Sequence, residues 1–196
     1  MTRTLCATLL AGLLAGPALS AGFTGDAAPA HFSVANAGTL LGDPAVPGAA
    51  QFSADTLLLT GGTAAGGCDG GVYGVAGPCE LLVQLARAGS YQFHWAYTTQ
   101  DVDGPAGDVF GVLVDGQRLT LSDPGGAVAQ AGDFTVTAMQ SFGWTLNCTD
   151  CTGGTAGVTI SGFSLAPVPE PASALLLLAG ACGLAAWRRQ GRALQR

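Results

Sequence analysis

The exported part of this sequence is poor in positive charge. Between residues 21 and 169 there is no lysine, and only Arg87 and Arg118 oppose twelve acidic residues, a formal charge of −10. The whole chain stands at −6 because its other arginines lie at the two ends. Such a segment is repelled by nucleic acid and by anionic lipid, so neither is expected as a partner. Divalent cations, cationic partners and neutral polysaccharide remain open, although acidity by itself keeps a glycine-rich chain soluble. Histidine is also scarce: His31 and His94 are the only two. No Ser-His-Asp or His-Glu-x-x-His spacing is present, and although Glu80 and the aspartates could supply a carboxylate pair about 5 Å apart, no spacing selects one. No enzymatic activity is expected. Amphipathic helices are missing as well from residues 50–165, which excludes a helical bundle.

Both ends read as addresses. Residues 1–20 carry Arg3, an apolar run over 5–14 and the small-residue site Ala18-Leu19-Ser20, the pattern of a signal peptide handled by Sec export and signal peptidase. At the other end, Val168-Pro169-Glu170-Pro171 precedes an uncharged run over 172–187, followed by Arg188, Arg189, Arg192 and Arg196. Those sixteen residues are slightly short of the roughly 20 that span a bilayer core. Trp187 suits the interface, and the basic stretch 188–196 suits a cytoplasmic flank. Pro169 and Pro171 keep Glu170 in extended backbone, the form in which proteases bind peptides.

This tripartite tail, residues 167–196, resembles the PEP-CTERM sorting signal. The resemblance implies an exosortase-type membrane protease as partner, with recognition through Val168, Pro169, Glu170, Pro171, Arg188 and Arg189. It also implies a route: inner-membrane anchorage facing the periplasm, then transfer to the cell surface or to an exopolysaccharide-rich matrix, as in biofilm.

Removing the two signals leaves about 150 residues, one domain with enough chain for a core. Its cysteines are Cys68, Cys79, Cys148 and Cys151, since Cys6 and Cys182 fall in the signals. In an oxidising compartment an even set reads as disulfides. Three pairings exist; Cys68–Cys79, closing a glycine-rich loop, and Cys148–Cys151, clamping a tight turn, are favoured. The Cys148-Thr149-Asp150-Cys151 spacing also fits a redox motif, but that chemistry uses a helix N-terminus and here the flanks are strand-like. A four-cysteine zinc site is a further, less favoured reading in this compartment.

The pattern from 51 to 166 has a period of two, which predicts an all-β fold: a single antiparallel β-sandwich or jelly roll. In Ser90-Tyr91-Gln92-Phe93-His94-Trp95-Ala96-Tyr97, aromatics alternate with small or polar side chains. Further strands are expected over 52–60, 80–87, 108–114, 117–121, 134–137, 141–147 and 157–164. Asp115-Gly116 is a hairpin turn signal. Residues 21–50 read as a first strand or two, or as a loosely held arm, and 61–77 as a long glycine loop. Over residues 80–171 the pattern resembles, more loosely than the tail, the β-sandwich ectodomains that precede PEP-CTERM signals. The residues carrying this likeness are Phe93-His94-Trp95-Ala96-Tyr97-Thr98-Thr99, Asp101-Val102-Asp103-Gly104-Pro105 with Asp108, Gly111-Val112-Leu113-Val114-Asp115-Gly116 and Val158-Thr159-Ile160-Ser161-Gly162-Phe163.

Two constellations in the domain could bind a ligand. Asp101, Asp103 and Asp108 share one loop and could hold Ca²⁺, which takes six to eight oxygens; a solvated acidic loop using aspartate for its turns is the commoner arrangement. Trp95, Tyr97 and Trp144 could stack on sugars, yet each lies in phase with other large side chains, as core residues do. Asn147-Cys148-Thr149 matches a glycosylation sequon, a weak signal in three residues. The function expected is that of an exported, sorted structural or adhesive protein, with a calcium-assisted carbohydrate-binding module as the alternative.

Overall fold

The computed structural model describes residues 20–69, 79–149 and 151–168. In chain order its strands are β1 (Ser20–Ala21), β2 (Phe32–Ala37), β3 (Thr39–Leu40), β4 (Ala45–Val46) and β5 (Ala49–Phe52). Then come β6 (Thr56–Thr60), β7 (Thr63–Ala64), β8 (Cys68–Asp69), β9 (Glu80–Leu85) and β10 (Gly89–Thr99). The last five are β11 (Asp108–Val114), β12 (Gln117–Thr120), β13 (Ala129–Ala138), β14 (Phe142–Cys148) and β15 (Ala156–Ala166). One sheet runs β13-β10-β15-β6-β5, with β1 added beside β15; the other runs β12-β11-β14-β9-β2. All pairings are antiparallel, and two short ribbons, β3–β8 and β4–β7, complete the set. The chain forms an all-β sandwich, as its period-two pattern implies. Among the described residues no helix is long and apolar enough to cross a membrane; the expected membrane run at 172–187 lies outside them.

Alternation decides which face of each strand is buried. Along β10 the side chains of Tyr91, Phe93, Trp95 and Tyr97 are buried, while Gln92, His94, Ala96 and Thr98 are exposed. Opposite them, β14 buries all seven of its residues. Trp144 is wholly buried at the centre, with the rings of Phe23, Phe32, Phe93, Phe142 and Phe163 at centroid distances of 5.0–6.2 Å. Each such side chain withdrawn from water contributes about 1.5–3 kcal/mol. Phe23 and Phe32 come from the N-terminal segment, which is therefore strand and core, the first of its two expected forms.

Two turns and one irregularity set the register. Asp115 (φ 49°) and Gly116 (φ 82°) make the hairpin between β11 and β12, with both central residues in the left-handed region. The Asp115 carboxylate also accepts the backbone N–H groups of Met139, Ser141 and Gln140, which hold its pKa below the usual carboxylate range. The hairpin turn is thereby bonded to the connection that crosses from β13 in one sheet to β14 in the other. In β15 the pairing with β10 slips between Gln92↔Ser164 and His94↔Ser161, so Gly162 and Phe163 together face Phe93. Gly162 stands at φ +58°, a conformation that glycine adopts freely. This bulge resets the phase, so that Val158 and Ile160 before it and Phe163 and Leu165 after it all point inward.

The structure also redraws several expected boundaries. The single strand expected over 52–60 is broken by a turn in which the Ser53 hydroxyl accepts the Thr56 N–H, leaving β5 and β6 as neighbours. β13 begins at Ala129, five residues before the expected start. Its first half, Ala129-Gln130-Ala131-Gly132-Asp133, is small and polar, and register with β10 rather than burial makes it strand.

Two buried phenols report on this packing. The Tyr91 hydroxyl donates to the Arg87 carbonyl at 2.6 Å and that of Tyr97 to the Asp108 carbonyl at 2.7 Å. Burial pushes both up to about 12 from an ordinary value of 10.0. Both are neutral in the fold, so their stabilisation is complete below pH 10 and is lost as pH rises from 10 toward 12. In an absorbance titration, two of the three tyrosines should ionise only near pH 12 in the native protein and at the ordinary value in denaturant. A single step near pH 10 for all three would contradict the buried phenols.

Candidate functional site

The described chain ends where the sorting segment begins. β15 stops at Ala166, and Pro167 and Val168 are the last residues described. Pro169, Glu170, Pro171, Arg188 and Arg189 lie outside the described residues, as does the leader over 1–19. Ser20 and Ala21, at the expected leader cleavage site, pair with Leu165 and Ser164 on β15. The Gly22 N–H then bonds to the Phe163 carbonyl at 2.8 Å. The two addressed ends of the chain thus leave the sandwich side by side.

At the opposite end of the strands lies the aspartate loop. Asp101 and Asp108 are buried and Asp103 is exposed. The Asp101 Oδ1 accepts the Asp103 N–H at 2.7 Å, and the Asp108 Oδ2 accepts the Thr99 hydroxyl at 3.0 Å. The same hydroxyl oxygen accepts the Asp101 N–H at 3.0 Å. A side chain at Gly107 would stand 2.6 Å from the Asp101 Cγ, so the carboxylate occupies the space that glycine leaves. These bonds build the turn from within. Among the described residues, Asp101, Asp103 and Asp108 do not form a group with all ligand atoms within 4.8 Å; the only such group of three is Cys68, Cys79 and Cys151.

Trp95, Tyr97 and Trp144 are 7 %, 1 % and 0 % exposed. Their faces meet Phe110, the sandwich interior and the aromatic cluster, so no ring is presented to solvent as a sugar platform. The reason is phase: each shares its strand face with other large apolar side chains.

Both expected bridges, Cys68–Cys79 and Cys148–Cys151, are present. They form a small cluster of their own, capped by Leu40. A cleft of about 320 Å³ opens beside it, lined by Asn36, Leu40, Cys79, Glu80 and Cys148 among others. Glu80 also anchors the principal ion pair of the domain. Both its carboxylate oxygens accept from the two terminal nitrogens of Arg118, which crosses from β12 to β9 over the outer face of the sheet. The Glu80 side chain is 5 % exposed and that of Arg118 43 %. Nothing local in the sequence joins residues 38 positions apart across two intervening strands, so this pairing was not legible there. His94 and Asp133, 3.0 Å apart, make a more exposed pair across β10 and β13.

Removing Arg118 would leave a buried carboxylate without its cation. Arg118→Ala should cost about 2–4 kcal/mol of unfolding free energy by urea denaturation, and Glu80→Leu with Arg118→Leu should cost less than that single change. A loss no larger than a surface substitution in Arg118→Ala would show that the pair is not structural.

Comparison with known proteins separates the domain from its tail. A search of curated proteins returns no match. Among solved structures the chain is similar to CBM29_1, a family 29 carbohydrate-binding module from Piromyces equi, at 9% identity over 68% of this chain and 88% of that one, TM-score 0.32. It is similar, too, to the N-terminal cellulose-binding domain of β-1,4-glucanase C from Cellulomonas fimi, at 14% identity over 73% and 92%, TM-score 0.32. Such TM-scores do not decide a topology, which rests here on the strand pairings. For the tail, residues 167–190 match the family described as the PEP-CTERM protein-sorting motif. With its sandwich complete one residue before that segment, the chain carries a PEP-CTERM protein-sorting motif at residues 167–190 and is an exported protein.

Proposed function

We propose that this protein is a structural or adhesive component of the cell envelope or of an exopolysaccharide-rich extracellular matrix. Its C-terminal segment is cleaved near Pro169-Glu170-Pro171 by an exosortase-type membrane protease. Before cleavage the domain faces the periplasm on an inner-membrane anchor; after it, the sandwich is transferred or released. The observation that carries this reading is the direct junction between β15, ending at Ala166, and the sorting motif starting at 167. With a self-contained sandwich ahead of the motif, loss of the tail removes no described strand. The reading assigns the domain no catalytic role.

Intact masses of the protein from membrane, periplasmic and extracellular fractions test the route. The expected product ends between Pro169 and Pro171 and disappears in Glu170→Ala, which accumulates in the membrane fraction. A mature protein that keeps residues 172–196 in every fraction would make it a plainly anchored domain.

One observation favours a second reading, carbohydrate binding. The outer face of the β13-β10-β15 region is open and rich in hydroxyl and amide groups, with Gln92 and Thr98 on β10, Thr135 and Thr137 on β13 and Thr159 on β15. Neutral polysaccharide suits such a surface on a protein without lysine. Retardation in native gels containing neutral glycans should follow, and should weaken in Gln92→Ala. If the aspartate loop takes up Ca²⁺, calcium raises the melting temperature and Asp103→Asn removes that rise. Equal mobility with and without glycan rejects the second reading, and an unchanged melting temperature rejects its calcium component.

A further inference from the structure

The two bridges are not independent staples at separate places. The Sγ atoms of Cys68, Cys79 and Cys151 all lie within 4.8 Å of one another, and Cys148 is bonded to Cys151. Three sulfurs from three separate stretches of chain therefore meet at the end of the sandwich, and the fourth, that of Cys148, is bonded to one of them. We propose that when these bridges are open the four cysteines form a tetrahedral site for a thiophilic divalent cation of the Zn²⁺ class.

Geometry supports this in three ways. Zinc–thiolate bonds of about 2.3 Å set tetrahedral sulfurs about 3.8 Å apart, so each bonded pair has to part by about 2 Å once its bridge opens, while Cys151 needs to approach Cys68 and Cys79 by no more than about 1 Å. The backbone at each cysteine is held by contacts that do not pass through sulfur. Cys68 pairs with Leu40 in the β3–β8 ribbon, and the Cys148 N–H bonds to the Cys79 carbonyl at 3.1 Å, tying the start of β9 to the end of β14. The Cys151 carbonyl accepts the Ala64 N–H at 2.8 Å and the Thr63 hydroxyl at 3.3 Å. Finally, the cleft lined by Cys79 and Cys148 provides an entry path, and the domain's charge of −10 favours a cation there.

The two states are related by balanced chemistry. Opening both disulfides takes two equivalents of a dithiol reductant, which supplies four electrons and four protons and leaves four thiols. Metal uptake then releases thiol protons as thiolates bind. Reoxidation by two equivalents of a disulfide oxidant, which takes up the four electrons together with four protons from water, expels the ion and restores the bridges. A chain that has not yet been oxidised would meet the metal first.

The test uses the full chain in detergent with Cys6→Ser and Cys182→Ser, so that only the four sulfurs remain. After reduction and removal of reductant under nitrogen, Co²⁺ is titrated in while visible absorbance and tryptophan fluorescence are followed. One equivalent should produce the intense bands of tetrahedral cobalt thiolate, with fluorescence like that of the oxidised protein. Zn²⁺ should displace it, and Cys151→Ser should weaken cobalt binding by more than about tenfold. A reduced chain that stays folded and gives no thiolate bands overturns the proposal. So do bands without native fluorescence, or bands unaffected by Cys151→Ser, since both describe thiols of an unfolded chain.

Discussion

Everything in this sandwich depends on two strand faces meeting in phase. β10 presents four aromatic side chains inward and β14 answers with Phe142, Trp144 and Leu146. A slip of one residue in either strand would turn its large side chains to water and its polar ones to the core. Trp144 is the point at which the constraint is tightest, because rings from both sheets and from the N-terminal segment close on it. Its indole N–H has no hydrogen-bond partner among the described residues, a cost that the surrounding packing has to offset.

The bulge at Gly162 and the loop at Gly107 answer the same demand. β15 has to pair with β10 on one side and with β6 and β1 on the other, and a strictly regular strand could not keep Ile160 and Phe163 both inside. One extra residue solves that at a position free of side-chain strain. The aspartate loop spends its charge inward for a related reason. It closes the crossing from one sheet to the other, where the Asp101 carboxylate accepts the Asp103 N–H and the Asp108 carboxylate accepts the Thr99 hydroxyl.

How much of this could be read from residues alone follows the range of each interaction. The alternation in 90–97, the Asp115-Gly116 turn and the two bridges are local patterns, and each stands in the structure as the sequence implied. The first half of β13 was hidden because Ala, Gly and Gln become strand there only through register with β10. Arg118 and Glu80, and the approach of one bridge to the other, depend on strand order, which no short window contains. The aromatics were ambiguous by type and unambiguous by phase: a tryptophan can stack on a sugar, but one that shares a face with Tyr91 and Phe93 is committed to the interior.

The pairing of Ser20 and Ala21 with the end of β15 gives the domain a base and a tip. β15 holds eleven residues, so about 35 Å of extended chain separates the point where the tail leaves from the end that carries the aspartate loop and the sulfurs. Whatever grips the tail therefore holds the molecule by its foot. The polar sheet faces stand as its sides, and the aspartate loop and the cysteine cleft are carried at the height where another surface would be met first.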